Sequence, residues 1–383
     1  MSPADLKLHE LHTLAEMEKM REPWNNIVLD TPTATPFQTW EWNFGIATFE
    51  ARSAHLRVVV AEDKNGKVVG IAPFRIRSLG MLTRLSILEF IGSRESDYVD
   101  LLFLEPHREA FARSITEWIE RNKEWRILSL GPLRQGTVDV ISQFDTYQIR
   151  HSGICPFIQL PATFEEYVQN VMQKRLNQSV QSKSKLLTSN ERLAFSISRT
   201  PSELERDLPV FFDLHQRRQN DKGERGRFSD NRWRECFKEM SLALLQAGAL
   251  RLGLLTIDRH PAASFYNLRL QGREYFYLAG MDPGAARHSP GNLLHYWMIR
   301  EAIKDGLLEY DFLAGKEAYK LRWTKTHHDT FELVQARSRA EAILWRKWEA
   351  WRNRIYRSRV VKRVYFATIG RFNKNIGGGN NAS

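Results

Sequence analysis

The feature that most constrains this chain is an internal echo. The run LRVVVAEDKNGKVVGIAPF, beginning at Leu56, and the run LRLGLLTIDRHPAASFYNL, beginning at Leu250, each place two β-rich stretches around a polar turn. WIERNKEWRILSL, ending at Leu130, is echoed by IREAIKDGLLEYDFL, ending at Leu313, each a helical stretch followed by an apolar strand. The echo is one of pattern more than identity, so duplication of one α/β unit and chance similarity of two such units both stay open. Either way, 383 residues suit two units of ordinary domain size, each able to bury its own core.

The spacing predicts strands over 85–91 and 98–104, a helix from Pro106 to Arg121 and a buried strand over 126–130. Long helices follow over 164–187, 203–219 and 230–246, the last with Ser229 as N-cap and Gly248 as its stop. Two strands then form a hairpin around Asp258, Arg259 and His260, REYFYLAGM adds a third, and a helix over 292–304 leads into LLEYDFL. The fold class is mixed α/β. Four segments are expected: a helical extension over 1–35, a first lobe over 36–160, a second over 161–337 and a basic aromatic tail over 338–383.

No stretch approaches the ~20 apolar residues of a membrane-spanning helix, and the first residues lack the apolar core of a secretory leader, so a cytoplasmic protein is expected. Cys155 and Cys236 form neither a CxxC pair nor a disulfide framework, and no metal site is expected. The formal charge of +11 is concentrated at one end: residues 341–374 hold ten basic side chains against two acidic ones. Such a tail charge says little about nucleic-acid binding by the body of the fold.

Two stretches carry chemistry. The first is RHSPGN, comprising Arg287, His288, Ser289, Pro290, Gly291 and Asn292, between a strand and a helix. The opening turn of a helix leaves backbone N–H groups unpaired at the positive end of the macrodipole, which suits a phosphate. Pro290 fits the first helical turn, Gly291 permits close approach, and Arg287 adds a cation. A capped helix after a surface loop is the plainer alternative. The second stretch is YDFLAGKEAYK, 310–320. A carboxylate in an apolar strand, Asp311, either pairs with Lys320 or Arg322 or carries a raised pKa suited to proton abstraction. Gly315 allows a sharp turn at the strand end, and Tyr319 and Lys320 follow. His215, in a helical FDLHQRR run, is a further candidate base, although a helical histidine is commonly structural.

Four segments together, FQTWEW at 37–42, LHQRR at 214–218, SPGNLL at 289–294 and YDFLAGKEAYK at 310–320, resemble the two-lobed acyltransferases of the GNAT superfamily, FemAB-like and CelD-like. The resemblance spans about Pro36 to Glu332. It implies tandem GNAT-like folds, an acyl-coenzyme A co-substrate, acetyl-coenzyme A foremost, with no permanently bound cofactor, and an amine or hydroxyl acceptor on a sugar, lipid-linked or polysaccharide-precursor molecule. The turn 287–292 then holds the pyrophosphate; Asp311 or His215 is the base, Tyr319 protonates the thiolate, and Lys320 pairs with a phosphate or sugar acid. The first lobe, lacking a comparable turn, is structural or positions the acceptor. RHSPGN departs from the usual glycine-rich pyrophosphate pattern, and FemAB relatives use aminoacyl-tRNA, so a tRNA-dependent transferase is the alternative, as is an inactive accessory protein of polysaccharide synthesis.

In the tail, Leu344, Trp348, Trp351 and Ile355 recur at helical spacing among arginines and lysines, with Tyr365, Phe366 and Phe372 beyond. The pattern suits peripheral contact with an anionic membrane surface, or packing of the tryptophans on the fold. Nucleic acid other than tRNA is not expected.

Overall fold

A computed structural model describes residues 6–51, 54–79, 85–188 and 192–357. The strands are β1 (Lys7–Leu11), β2 (Ala54–Glu62), β3 (Val68–Ser78), β4 (Ser86–Phe90), β5 (Leu102–Phe103), β6 (Ile127–Leu133), β7 (Gln148–Gln159), β8 (Leu193–Ser198), β9 (Leu250–Ile257), β10 (His260–Leu270), β11 (Arg273–Met281), β12 (Glu309–Asp311) and β13 (His327–Ala336). The helices are α1 (Leu14–Glu18), α2 (Arg21–Asp30), α3 (Trp40–Glu50), α4 (Arg108–Arg121), α5 (Gln135–Ile141), α6 (Phe164–Asn170), α7 (Lys174–Thr188), α8 (Pro201–Asp221), α9 (Asn231–Gln246), α10 (Pro290–Lys304) and α11 (Arg339–Arg357).

The strands join in one mixed sheet of order β1-β2-β3-β4-β6-β13-β7-β12-β11-β10-β9-β8, with β5 on β3. The echo in the sequence corresponds to a repeated unit: β2-β3-β4-α4-β6 and β9-β10-β11-α10-β12 are each an antiparallel meander, a helix and a strand parallel to the third. The polar turns work as the residue types require. In the first, the Asp63 carboxylate accepts from the Asn65 and Lys67 amides and Gly66 adopts a positive φ; in the second, Asp258 and Arg259 both do, the geometry of a two-residue hairpin turn.

The two units are not separated where the sequence suggested. β13, which follows the second unit, lies between β6 and β7 of the first. The strand β7 pairs with β13 along Gln148–Pro156 and with β12 through Phe157–Gln159, so a single strand belongs to both halves. The N-terminal segment also departs from an all-helical extension. β1 edges the sheet against β2, and Trp24 of α2 is fully buried with its indole N–H donating to the Gln38 carbonyl.

Local differences have simple causes. The helix expected over 164–187 breaks into α6 and α7. The N-cap of α9 is Asp230 rather than Ser229, its carboxylate accepting from the Arg232 and Trp233 amides, while the Ser229 hydroxyl donates to the Gly226 carbonyl. On one face of the second half, α8 and α9 pack with α3 through an aromatic cluster that includes Trp42, Phe211, Phe237 and Tyr266. On the opposite face, α6, α7 and α10 enclose Phe265, Phe276, Tyr310 and Phe312. The sheet thus has two differently furnished faces in its second half, and the candidate site lies where its ladder opens.

Candidate functional site

β11 and β12 pair in parallel through Arg273–Glu309, Glu274–Tyr310 and Tyr275–Asp311, and there the ladder ends, while β11 continues to Met281. Side chains alternate across a strand, so this opening presents two faces.

On the α10 face lies a cavity of about 340 Å³, walled by Phe265, Phe276, Met281, His295 and Tyr319 and bordered by Ser289–Asn292. Its rim carries Arg218 and Lys222, one turn apart near the end of α8. Burial lowers the pKa of both, and Arg218 lowers that of Lys222 further. Arg218 is half-buried and Lys222 exposed, Asp221 and Asp282 line the same cavity, and among the described residues no ion pair joins either cation to a carboxylate, so the two offer charge to an anion at the rim. Across the turn, Lys183 of α7 donates to the Ser289 hydroxyl at 2.6 Å.

The predicted turn is present but has a particular form. Ser289 takes a left-handed conformation, φ 51°, and its carbonyl accepts from the Asn292 and Leu293 amides. Pro290 has no N–H, so within 289–293 the Gly291 amide has no backbone acceptor, and side-chain cations supplement the helix end. Arg287 is exposed and His288 half-buried, and the two are bonded to each other, Arg287 Nε donating to His288 Nε2 at 2.9 Å.

The opposite face holds Asp311. Its carboxylate is fully buried and accepts from the Tyr98 hydroxyl at 2.7 Å and the Leu313 amide at 2.6 Å. Burial, with nearby Glu309, pushes its pKa up to about 7. The next carboxylate, Asp97, retains partial exposure, accepts from the Ala314 amide and is pushed up to about 6 by burial, against the pull of Lys320 and Arg227. Arg227 donates to the Tyr277 hydroxyl at 3.0 Å, and that hydroxyl donates to the Glu95 carbonyl at 2.7 Å. The segment 92–100 of the first half therefore reaches the strand end of the second.

The residues singled out in the sequence divide accordingly. Tyr319 lines the cavity, its phenol kept protonated by burial and Glu317. Lys320 is buried beneath the loop, donating to the Leu313 and Ala314 carbonyls at 3.2 and 2.6 Å and pairing with Glu317 at 3.2 Å. His215 is enclosed by Phe211 and Phe228 on α8, and burial drives its pKa down to about 4, so its ring is neutral. Asp311 and Tyr319 flank the opening from its two faces; His215 stands apart from the cavity. Three participants were missed. Asp97 and Tyr98 sit in a stretch, SRESDYVD, that reads as a polar loop, and His295 sits in α10 beyond the turn. Only its position two turns into a helix that starts at a ligand-suited turn signals His295; its Nδ1 lies 3.2 Å from the Tyr310 hydroxyl, and burial keeps the ring neutral.

Residues 174–321 match the family model described as an acetyltransferase (GNAT) domain. Among solved structures, FemX aligns at 12% identity over 85% of this chain and 96% of its own, with a TM-score of 0.60. The C-terminal domain of a protein described as a lysylphosphatidylglycerol synthetase from Agrobacterium fabrum aligns at 12% identity over 87% and 96%, with a TM-score of 0.57. L-PGS from Bacillus licheniformis follows at 9% identity over 76% and 91%, with a TM-score of 0.50. At these identities the likeness is one of fold. No curated protein matches. A segment of the second half thus matches a GNAT-type acetyltransferase domain model, within a mixed α/β fold similar to those of FemX and the lysylphosphatidylglycerol synthetase domain.

Proposed function

We propose that the protein transfers an acyl group, acetyl foremost, from acyl-coenzyme A to an amine or hydroxyl of a sugar or lipid-linked polysaccharide precursor. The observation that carries this reading is the opening beyond Tyr275 and Asp311, with a largely apolar cavity behind a cationic rim on one face and partly ionised carboxyl groups on the other. The pantetheine arm fits the cavity and the pyrophosphate its rim, beside Lys183, Arg218, Lys222 and the Ser289–Gly291 turn. The acceptor enters between the halves, over segment 92–100.

Asp97 takes a proton from the acceptor as its nitrogen or oxygen attacks the thioester carbonyl carbon. The carbon–sulfur bond breaks, and the Tyr319 phenol protonates the departing thiolate. A base with a pKa near 6 is largely ionised at neutral pH and still basic enough to help. Asp311, with both oxygens engaged, orients Tyr98 and the loop after β12, and Lys320 pins that loop. His215 packs α8 on β11. Reaction within a site that excludes water favours direct transfer over hydrolysis.

α11 supports a site of action at a membrane surface. Trp345 is 4% exposed and packs on Leu85, Ile87, Ile127 and Val334, with Trp348 beside it, whereas Ile343, Leu344 and Trp351 are about half exposed among Arg346 and Lys347. The sequence places Leu344, Trp348, Trp351 and Ile355 on one face; Trp345 turns inward beside them, leaving an outer apolar and basic face suited to anionic lipid. Tyr365, Phe366 and Phe372 lie outside the described residues.

The test is transfer from radiolabelled acetyl-coenzyme A to a panel of amino sugars and lipid-linked sugars. Labelled product with wild type, lost in Asp97→Asn while donor binding persists, is the expected result. Failure to bind coenzyme A, with salt-sensitive binding of tRNA, would replace this donor with an aminoacyl-tRNA.

A further inference from the structure

Beside Asp311 the sheet brings together groups that the sequence keeps apart. Glu309 and Asp311 project from one side of β12, and His328 of β13 stands 19 residues beyond Glu309. β7 joins them, pairing Asp311 with Phe157 and His328 with Cys155. One ligand atom from each of the three lies within 4.8 Å of the others. The His328 ring lies flat on Phe157, centroids 4.0 Å apart and planes 6° from parallel, with its Nε2 toward Glu309.

The charges in this cluster do not balance. Glu309 and Asp311 are both buried, and among the described residues no lysine or arginine ion-pairs either one. Arg273, the neighbour of Glu309 on β11, donates to the Pro32 carbonyl instead. Both oxygens of Glu309 turn to a single ring nitrogen, His328 Nε2, at 3.3 and 3.4 Å. A charge-assisted hydrogen bond is shorter, ~2.7–2.9 Å, so a buried carboxylate is left under-satisfied. Two ligands of one zinc ion, each about 2.0–2.1 Å from it at a tetrahedral angle, stand roughly 3.3 Å apart, which is the spacing of Glu309 and His328.

We propose that Glu309, Asp311 and His328 hold a divalent transition ion, zinc foremost. Imidazole beside carboxylate favours zinc over magnesium or calcium, which take oxygen ligands. Each Asp311 oxygen keeps a second lone pair beyond its bond to Tyr98 or Leu313, so Asp311 ligates without releasing either. The His328 side chain, 33% exposed, gives the ion its way in, and water completes the four ligands. The ion is structural: it ties β12 to β13 across β7, the strand that both halves share, at the carboxylate that orients Tyr98. The ion-free chain, to which the Asp311 pKa of about 7 belongs, offsets the same charge with a proton.

Calorimetric titration of the chelator-treated full chain with zinc chloride tests this, beside His328→Ala and the isosteric Glu309→Gln, with circular dichroism to confirm that all three are folded. Wild type should bind zinc at a site that each variant weakens at least about tenfold, since loss of even an outer-shell partner costs about 10- to 100-fold. Its Tm should rise by roughly 3 °C or more with zinc at 100 times the Kd, and neither variant, nor wild type with magnesium, should show that rise. No zinc binding by folded wild type overturns the assignment. So does binding undiminished in either variant, which would belong to exposed histidines such as His151 and His327. Both results leave the donor reading standing, because acyl transfer is not the readout.

Discussion

The two halves share one strand–helix–strand unit and use it differently. In the first, the face of β3 and β4 carries Arg75, Arg77 and Glu89, and the charges satisfy one another: Glu89 accepts from Arg77 Nε at 2.6 Å and pairs with Arg75 at 3.0 Å, and Arg75 also pairs with Glu50. In the second, Arg218 and Lys222 border a cavity that Asp221 and Asp282 also line, with no ion pair to either cation among the described residues, and Lys183 donates to Ser289 at its turn. The helices begin differently as well. α4 follows a Glu105–His107 turn that puts an acid at its start, α10 a left-handed Ser289 with Lys183 beside it. Charges paired within the fold serve its packing, whereas in the proposed function the cations at the cavity rim take the donor's phosphates. In the proposed reaction the first half still takes part, because Asp97 and Tyr98 reach the strand end of the second.

Predictions follow from breaking this division. The largest effect belongs to Asp97→Asn, which should lower kcat about 10²- to 10⁴-fold, the usual range for loss of a general base, with donor affinity unchanged in calorimetry. A comparable loss of donor affinity would instead make Asp97 part of the binding surface. On the outer face of α11, the double variant Ile343→Ser/Leu344→Ser should weaken sedimentation with anionic vesicles about tenfold or more, since each side chain buried in lipid contributes ~1.5–3 kcal/mol. Vesicles of zwitterionic lipid should bind wild type poorly.

Asp311 sharpens the comparison through pH. Its folded pKa of about 7 lies above the ordinary 3.8, so the fold favours the protonated acid. The stability this supplies is fully present below about pH 4 and lost as pH rises through 7. Asp311→Asn cannot ionise, so its Tm relative to wild type should climb between pH 5 and pH 8 in scanning calorimetry; a constant difference would mean that Asp311 is ionised throughout. The smallest effect on function is expected in the first half. Arg77→Ala should lower Tm, by removing one of the two arginines that pair the buried Glu89, and leave donor affinity within twofold of wild type.

Much of the second half was legible because its determinants are local. The alternation in LRLGLLTI, the turn at Asp258–Arg259 and an isolated acid in LLEYDFL each specify their own surroundings, and Asp311 is indeed buried in a strand. What escaped was set by distant partners. HHDTFELVQA has a strand's composition, but nothing in it tells that β13 crosses into the first half to pair with β6 and β7. Asp97 looks like any loop acid until Ala314 and Lys320 are brought beside it. His215 was attractive for its residue type, and the aromatic enclosure that removes it from the cavity comes from Phe211 on its own helix and Phe228 in the following turn.

The central claim is that the second half alone binds the donor, through the cations Arg218 and Lys222 at the rim of its cavity. Titrating wild type and Arg218→Glu/Lys222→Glu with acetyl-coenzyme A, with circular dichroism to confirm that both are folded, tests it most directly. The account predicts one saturable site in wild type and a loss of about 10²-fold or more in affinity when two charge-assisted contacts are reversed. No binding by folded wild type, or unchanged affinity in the variant, would contradict it.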